Sequence, residues 1–474
     1  MIRKSGAPVL HRLSTGIPKL DQILGGGIPQ FSINIIAGQP GSGKTILAQQ
    51  LAFAQARPDS KVLYVSTISE PALKLIRYQS QFSFFKEQEL DRSVFYRNVA
   101  DNFQAKGYQK GINTILRLID EIDPRFVFID SFKAIVELAS SDYETRRFAY
   151  DLALRLTSHE ITSFLIGEYT AADIPRRPEF AVVDGILLLA LAEKQDQPRY
   201  LEVRKLRGSK YLRGRHPLEI NGAGITCYPH PEPSPDERHT KLLKKVSSGI
   251  EGLDVMSAGG FYEGSMTVVA GSAGTGKTSL AVKFLGKDGL LVSFEEKPGR
   301  IERYAENMQL DSPHVLYISP IQFISERANE LIKAQILKMR PKRVTIDGML
   351  DVTFDSDVLY DLLDFLLQQG ITTLLIYEIR DIFGTISFVP TGVSRLIDNV
   401  ILLRYVELNG RIERFLTILK MRGSPHDNEI RAFEIRRGDG LFIKQRVTGV
   451  SGLMTGIARP AVHAVEELAK GFQF

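Results

Sequence analysis

The sequence Gly38-Gln39-Pro40-Gly41-Ser42-Gly43-Lys44-Thr45 recurs in closely similar form as Gly271-Ser272-Ala273-Gly274-Thr275-Gly276-Lys277-Thr278. Both stretches fit the pattern G-x-x-x-x-G-K-[ST], and each follows a short apolar run that is typical of a buried strand. Glycines allow the backbone to curl so that its N–H groups point at phosphate oxygens, while the following helix offers its positive end. The two stretches therefore predict two nucleoside triphosphate sites in one chain.

Each residue type in these two loops has an expected role. We expect the small residues to contact the phosphates, the lysine to reach the β- and γ-phosphates and support catalysis, and the last threonine to hold Mg²⁺. The residues predicted to bind nucleotide are Gly38, Gly41, Ser42, Gly43, Lys44, Thr45, Gly271, Gly274, Thr275, Gly276, Lys277 and Thr278.

The composition is that of a soluble globular protein. Of 474 residues, 43% are hydrophobic and 24% are charged, and 60 basic against 55 acidic residues give a net charge of +5. A single cysteine, Cys227, argues against a disulfide framework or a thiolate metal cluster. Since neither a membrane span nor a signal peptide is visible, we expect a cytoplasmic protein. The small positive charge permits nucleic-acid binding without indicating it.

A second repeated motif indicates that a whole module is duplicated. The sequence STGIPKLD at 14–21 recurs as SSGIEGLD at 247–254, and both this motif and the loop lysines repeat after 233 residues. Because this period far exceeds that of solenoid repeats, each copy should be a complete domain. We predict a first domain at 1–228, a proline-rich linker at 229–240, a second domain at 241–445 and a tail at 446–474 with a short helix at 461–470.

Apolar runs alternate with helical stretches in both copies, which predicts α/β domains with mostly parallel sheets. The predicted strands are 33–37, 62–66, 126–130, 163–167 and 185–191 in the first copy, and 266–270, 290–293, 343–347, 372–377 and 400–403 in the second. Hairpin-like strands at 199–206 and 414–421 then add an antiparallel edge to each sheet. The predicted fold is two tandem P-loop NTPase domains.

Aspartates at strand ends complete the predicted metal sites. Asp130 and Asp347 each close an apolar run, at the place where a carboxylate orders the water shell of Mg²⁺. An ordinary turn or helix cap is the alternative explanation. With a phosphate loop upstream in each copy, we assign the metal to Thr45 and Asp130 in the first site and to Thr278 and Asp347 in the second.

Hydrolysis also needs a group that positions or deprotonates water. Glu295 and Glu296 follow the second strand of the second copy, where a carboxylate can reach a water in line with the γ-phosphate. In the first copy Ile68 and Ser69 stand at the aligned positions, and Glu70 is displaced by one residue. We expect hydrolysis in the second copy, whereas the first copy either mainly holds nucleotide or uses Glu70.

A Lys-x-Arg-Gly sequence closes the edge strand of both copies, with Lys205 and Arg207 in the first and Lys420 and Arg422 in the second. Residues two apart on a strand share one face, so each lysine and arginine point together. A solvated, charge-protected edge strand is the simpler explanation. The recurrence favours phosphate sensing, with the charge delivered to the nucleotide of a neighbouring subunit; head-to-tail contacts of this kind close into rings.

At these residues the chain resembles the KaiC family of tandem RecA-like ATPases, over residues 12–445. The resemblance rests on SFEEKP at 293–298, ILLRYVE at 401–407 and KMRGSPHD at 420–427. It implies RecA-like P-loop domains in a two-tier homohexamer, with ATP and Mg²⁺ at the subunit interfaces. It also implies that Lys205, Arg207, Lys420 and Arg422 act on a neighbour's nucleotide.

Two departures from the family pattern bear on function. The circadian member phosphorylates an adjacent Ser-Thr pair in its second domain, and the aligned positions here are Ser394 and Arg395. Ser394 and the nearby Thr391 are the candidates left for autokinase activity. The family's first domain usually carries a glutamate pair, which the first copy of this chain lacks, so we expect a non-clock relative.

These features favour a ring-forming ATPase whose nucleotide state alters its shape for signalling to regulatory proteins. A nucleic-acid-dependent recombinase or motor would use the same core. No zinc module, helix-turn-helix pattern or long basic run supports that alternative, so nucleic acid is not an expected partner. An ATP-binding scaffold with little turnover is the third hypothesis, and it fits the first copy better than the second.

Overall fold

The computed structural model describes residues 10–67, 72–106, 108–139, 141–191, 199–231, 244–321, 323–349, 352, 354–379, 394–408, 411–446, 450–451 and 459–460. The chain divides into two compact units, Met1–Glu232 and Pro233–Phe474, which we call the first and second domains. Most of the predicted linker and the predicted helix at 461–470 lie outside the described residues.

The first domain alternates strands and helices. Its strands are β1 Arg12–Leu13, β2 Ile28–Pro29, β3 Ile33–Gly38, β4 Val62–Ser66, β5 Val94–Asn98, β6 Phe126–Asp130, β7 Thr162–Glu168, β8 Gly185–Ala190, β9 Arg199–Leu206, β10 Arg215–Asn221 and β11 Gly224–Cys227. Its helices are α1 Pro18–Ile23, α2 Lys44–Gln55, α3 Ala72–Gln79, α4 Ala100–Lys106, α5 Tyr108–Ile122, α6 Phe132–Val136, α7 Asp142–Ser158 and α8 Glu179–Val182, with a 3₁₀ turn at Glu87–Glu89.

The second domain repeats the pattern. Its strands are β12 Lys245–Val246, β13 Phe261–Tyr262, β14 Met266–Gly271, β15 Leu290–Ser293, β16 His314–Tyr317, β17 Arg343–Asp347, β18 Thr372–Glu378, β19 Asn399–Leu408, β20 Arg411–Met421, β21 Arg431–Arg436, β22 Gly440–Arg446, β23 Val450–Ser451 and β24 Arg459–Pro460. Its helices are α9 Glu251–Met256, α10 Lys277–Leu285, α11 Pro298–Met308, α12 Ser325–Met339 and α13 Ser356–Gln368, with a 3₁₀ turn at Ser394–Leu396.

Within the described residues each domain has one large sheet of nine strands, and the two sheets share one topology. The order is β11-β10-β9-β8-β3-β7-β6-β4-β5 in the first domain and β22-β21-β20-β19-β14-β18-β17-β15-β16 in the second. The strands from β8 to β5 and from β19 to β16 pair in parallel, and the remaining strands add an antiparallel edge. The predicted α/β fold with two tandem RecA-like domains is confirmed.

Helices cover both faces of each sheet because the buried strands are apolar on both sides. In β6, Phe126 and Phe128 pack with α2, whereas Val127 and Ile129 pack on the opposite face with α5 and α7. A parallel sheet buried in this way gives continuous apolar runs rather than alternating ones. This explains why the central strands could be located in the sequence. No helix within the described residues is both long and apolar enough to cross a membrane.

The sequence did not predict the outer strands. One edge of each sheet is a single unpredicted strand, β5 in the first domain and β16 in the second. The other edge is extended by two more, β10 and β11 in the first domain and β21 and β22 in the second. These strands carry charged residues because one side faces solvent, so their hydrophobic signal is weak. The strand predicted at 400–403 continues to Leu408 as β19, through the arginine and glutamate at 404 and 407.

The repeated STGI/SSGI motif forms a turn before the first helix of each domain. Asp21 accepts hydrogen bonds from Ser14 Oγ, Thr15 N and Thr15 Oγ1 at 2.6, 2.7 and 2.7 Å. Asp254 accepts equivalent bonds from Ser247 Oγ at 2.5 Å and Ser248 N at 2.7 Å. The motif therefore recurs for a structural reason, because one carboxylate fixes the turn.

We expect Asp254→Ala to lower the free energy of unfolding by about 2 kcal/mol, because hydrogen bonds to a charged acceptor are lost together. Urea denaturation followed by far-ultraviolet circular dichroism measures this change. Asp311→Ala, at an exposed position outside regular structure, is the matched control. A loss of stability no larger than that of the control would show that the carboxylate does not fix the turn.

Candidate functional site

The glycine-rich loops connect the central strand to the following helix in each domain. The first loop lies between β3 and α2 and the second between β14 and α10. Gly43 and Gly276, directly before the helices, have φ of 103° and 107°. This left-handed backbone favours glycine. Because a glycine has no side chain to cap the helix, the N–H groups of the first helical turn remain available for a phosphate.

The loop lysine is folded over its own loop in both domains. Lys44 Nζ donates to the carbonyl oxygen of Gln39, and Lys277 Nζ donates to that of Ser272, each at 2.9 Å. Both lysines are only 8% exposed. Burial lowers the pKa of Lys44, and the nearby Glu168 and Asp130 oppose this shift. A shielded positive charge is thus placed where the sequence predicts the phosphates.

In the first domain, the predicted metal residues Thr45 and Asp130 lie together. Thr45 Oγ1 donates to Asp130 Oδ2 at 2.9 Å, and the Tyr64 hydroxyl donates to the same oxygen at 2.9 Å. Burial raises the pKa of Asp130, while the bonds from Tyr64 and Thr45 and the charge of Lys44 oppose the rise. A carboxylate beside a hydroxyl at the end of a buried strand is an oxygen donor set that suits Mg²⁺.

The second domain holds its aspartate differently. Among the described residues no hydrogen bond joins Thr278 to Asp347. Burial, and then the charge of Glu295, raise the pKa of Asp347 to about 6, whereas Lys277 opposes the rise. The fold therefore brings Glu295 and Lys277 close to the predicted metal carboxylate, a donor set that also suits Mg²⁺.

The two predicted catalytic glutamates have different surroundings. Glu295 is exposed and lies near Asp347. Glu296 is half-buried; its N–H donates to Ser293 Oγ at 2.8 Å, and its carboxylate pairs with Arg300 of α11 at 3.2 Å. The charges of both glutamates act on Asp347, that of Glu295 more strongly, and Glu296 also pairs with the helix. Residues 68–70, including Glu70, lie outside the described residues.

A further carboxylate lies at each loop lysine, and the sequence reasoning missed it. Glu168 is paired with Gly38 across β7 and β3, and Glu378 is paired with Gly271 across β18 and β14. Glu378 forms an ion pair with Lys277 at 3.2 Å. The predicted strands stopped one residue before these glutamates, so the acidic residue that closes each strand was the available signal.

Two arginines at the loops were also missed. Arg199 Nε donates to the carbonyl oxygen of Gly41, and Arg414 Nε donates to that of Gly274, each at 3.3 Å. Both arginines lie on the first antiparallel strand, β9 or β20. Their separation of 215 residues equals that of Lys205 and Lys420. That repeat spacing could have identified them as a matched pair.

The Lys-x-Arg-Gly pairs lie level with the start of the central strand, whereas their own loop follows the end of that strand. The backbone N–H of Arg207 donates to Asp184, whose own N–H donates to Ile33 at the start of β3. Arg422, Asp398 and Met266 repeat this chain of bonds in the second domain. Five residues along a strand separate these positions from the loop, about 16 Å at 3.3 Å per residue.

The lysine and the arginine of each pair lie close together. Burial lowers the pKa of Lys205, and Arg207 lowers it further; Lys420 and Arg422 are related in the same way. Arg207 contacts Asp184 at 3.3 Å, and Lys420 Nζ donates to the carbonyl oxygen at 397 at 2.6 Å. These contacts hold each pair in place near the start of the central strand. Contact between the pairs and a nucleotide remains a prediction.

The candidate phosphorylation positions are partly described. Ser394 begins the 3₁₀ turn before β19 and is exposed. The next residue, Arg395, stacks on the ring of Tyr360 at 4.7 Å. Thr391 lies outside the described residues.

Comparison with known proteins gives the same result for both domains. The family model described as "ATPase: KaiC" matches residues 13–232 and 246–448. The circadian clock oscillator protein KaiC of Parathermosynechococcus lividus is 28% identical over 94% of this chain and 88% of its own length. The protein of that name from Picosynechococcus sp. is 27% identical over 97% of this chain and 95% of its own length.

A third relative of the same name, from Prochlorococcus marinus subsp. pastoris, is 25% identical over 100% of this chain and 99% of its own length. The matched segments of the family model each contain one glycine-rich loop with its lysine, threonine and strand-end aspartate. The chain therefore belongs to the KaiC family of ATPases.

Proposed function

We propose that this chain is a ring-forming ATPase in which the second domain hydrolyses ATP and the first domain mainly holds it. The observation that carries the proposal is that the charges of Glu295 and Lys277 both act on Asp347, the carboxylate that closes β17 in the second domain. In the first domain the aligned residues are Ile68 and Ser69, neither of which can accept a proton from water at neutral pH.

The residues of the second domain divide the work. The loop N–H groups and Lys277 bind the phosphates, and Arg414 supports the loop through its bond to Gly274. Thr278 and Asp347 would hold Mg²⁺, which when bound neutralises charge on the β- and γ-phosphates. Glu295 orients a water and accepts its proton as the water oxygen bonds to the γ-phosphorus and the bond to the bridging oxygen breaks.

The positive charge that stabilises the transition state comes from a neighbouring copy of the chain. Lys420 and Arg422 lie about 16 Å along the sheet from the level of their own loop, which is too far for a side chain to span. We infer that they act on the loop of a neighbouring copy, where a positive charge stabilises the transition state. A contact between two different faces, repeated around an axis, closes into a ring, and a hexamer is the proposed assembly.

The proposed reaction is hydrolysis rather than phosphotransfer to the chain. The acceptor pair of the circadian member is reduced to Ser394, because Arg395 replaces the threonine. We propose that the nucleotide state changes the shape of the ring and that regulatory proteins bind according to this shape. A nucleic-acid motor is not proposed, because the chain carries neither an added binding module nor a long basic run.

Changing Glu295 and Glu296 together to glutamine should lower the turnover number for ATP by about 10²–10⁴-fold, since the group that accepts the proton is lost. Affinity for ATP should stay close to that of the parent chain, because the loop is intact. Phosphate release under saturating ATP measures the turnover, and equilibrium binding measures the affinity.

Glu302→Gln is the matched control, because it removes an exposed charge on α11 without touching the loop. Its turnover should equal that of the parent chain. Unchanged turnover in the double variant would overturn the catalytic role of the pair and would favour a scaffold that uses ATP only as a ligand.

A mixing experiment tests the contact between subunits. Lys277→Ala disables the loop of its own copy, and Arg422→Ala disables the charge that a copy delivers to its neighbour. We expect each variant to be nearly inactive alone, whereas equal mixing should restore about a quarter of the parent activity, because one interface in four then joins an intact loop to an intact arginine. Phosphate release after exchange of subunits measures this recovery. No recovery above the sum of the separate variants would contradict action between copies.

A further inference from the structure

The two aspartates predicted to bind magnesium differ in the side-chain hydrogen bonds that they accept. In the first domain Asp130 Oδ2 accepts from two hydroxyls, Thr45 Oγ1 and Tyr64 Oη, each at 2.9 Å. Its other oxygen, Oδ1, accepts no hydrogen bond from the described residues. The carboxylate is therefore fixed through one oxygen, and the other oxygen remains available for a ligand.

Tyr64 cannot readily turn away from this carboxylate. The residue lies in β4 with no exposed surface. Its ring stacks on Phe128, with centroids 5.8 Å apart and an angle of 11°, and also contacts Tyr96 at 5.0 Å. Neighbours on both sides thus hold the ring in one position, so the hydroxyl is a rigid donor.

Among the described residues of the second domain, the position equivalent to Tyr64 carries no hydroxyl. Ser66 pairs with Asp130 in the first sheet, and Ser293 pairs with Asp347 in the second. Counting back two residues from each serine gives Tyr64 in the first domain and Leu291 in the second. Leu291 is fully buried and cannot donate a hydrogen bond to Asp347.

We propose that Tyr64 is a positioning residue that orients Asp130 toward the divalent cation of a nucleotide bound in the first domain. A partner that fixes a metal-binding carboxylate lowers the cost of ordering it on binding and typically changes metal affinity 10–100-fold. Tyr64 thereby suits the first domain to retaining nucleotide with its metal. This inference rests on the proposed function at one point, namely that the first loop binds nucleotide.

The test uses the full chain carrying Lys277→Ala, so that only the first loop has its lysine. Mn²⁺ is the probe, and electron paramagnetic resonance counts free Mn²⁺ during titration in the presence of ADP. We expect Tyr64→Phe to weaken Mn²⁺ binding about tenfold or more. Affinity for ADP in the absence of metal should be unchanged, which a general loss of packing around the loop would not produce.

Tyr96→Phe is the matched control, because it also removes a buried hydroxyl beside Tyr64, one that makes no hydrogen bond among the described residues. Its Mn²⁺ affinity should equal that of the parent. Tyr64→Leu, which copies Leu291, is a second variant without the hydroxyl and should lose Mn²⁺ affinity as Tyr64→Phe does.

Mn²⁺ affinity that is unchanged in both Tyr64 variants would overturn the positioning role and leave the proposed function intact. An equal loss of metal-free ADP binding would also overturn it, since Tyr64 would then support only the loop. Failure of the Lys277→Ala parent to bind ADP at all would instead contradict nucleotide binding by the first domain, and the inference would fall with it.

Discussion

The parallel pairing of the central strands is the constraint on which both sites depend. Parallel strands have their carboxyl ends on the same side of the sheet. Residues distant in sequence therefore meet where these strands end. In the first domain this pairing aligns Gly38 with Glu168 and Ser66 with Asp130. The same register also places the Lys-x-Arg-Gly pair level with the amino-terminal ends of these strands. One strand arrangement therefore builds the candidate phosphate site and places Arg207 of the same copy at the far end of the strands.

The duplicated domains share the residues predicted to bind nucleotide more closely than those proposed to act in hydrolysis. Both loops keep the glycine before the helix, the buried lysine and the strand-end aspartate. Their surroundings differ, because Tyr64 and Thr45 donate to Asp130 in the first domain, whereas Glu295 lies by Asp347 in the second. A carboxylate held by hydroxyls suits retention of a metal-bound nucleotide. A carboxylate beside a second carboxylate suits a site where water must be activated.

Local patterns predicted the parts of the site that lie within one stretch of chain. The loops, the aspartates that close buried strands and the Lys-x-Arg-Gly pairs were all visible in this way, as were the buried parallel strands. Some site residues were not predicted because their partners lie elsewhere in the fold, on neighbouring strands, in the loops or in the following helix. They are Glu168, Glu378, Arg199, Arg414 and Tyr64. Register sets those partners, and a single sequence does not reveal register. In the sequence, Tyr64 cannot be distinguished from the other apolar residues of its buried strand.

The central claim is that the two loops bind alike but catalyse unequally, and the fate of bound ATP tests it most directly. The chain is loaded with ATP and Mg²⁺, freed of unbound nucleotide, and held for many turnover times before the bound nucleotides are separated and counted. The account predicts that about half of the bound nucleotide remains ATP, held by the first domain, while the other half has become ADP. Complete conversion to ADP would show that the first domain also hydrolyses, and would contradict the account.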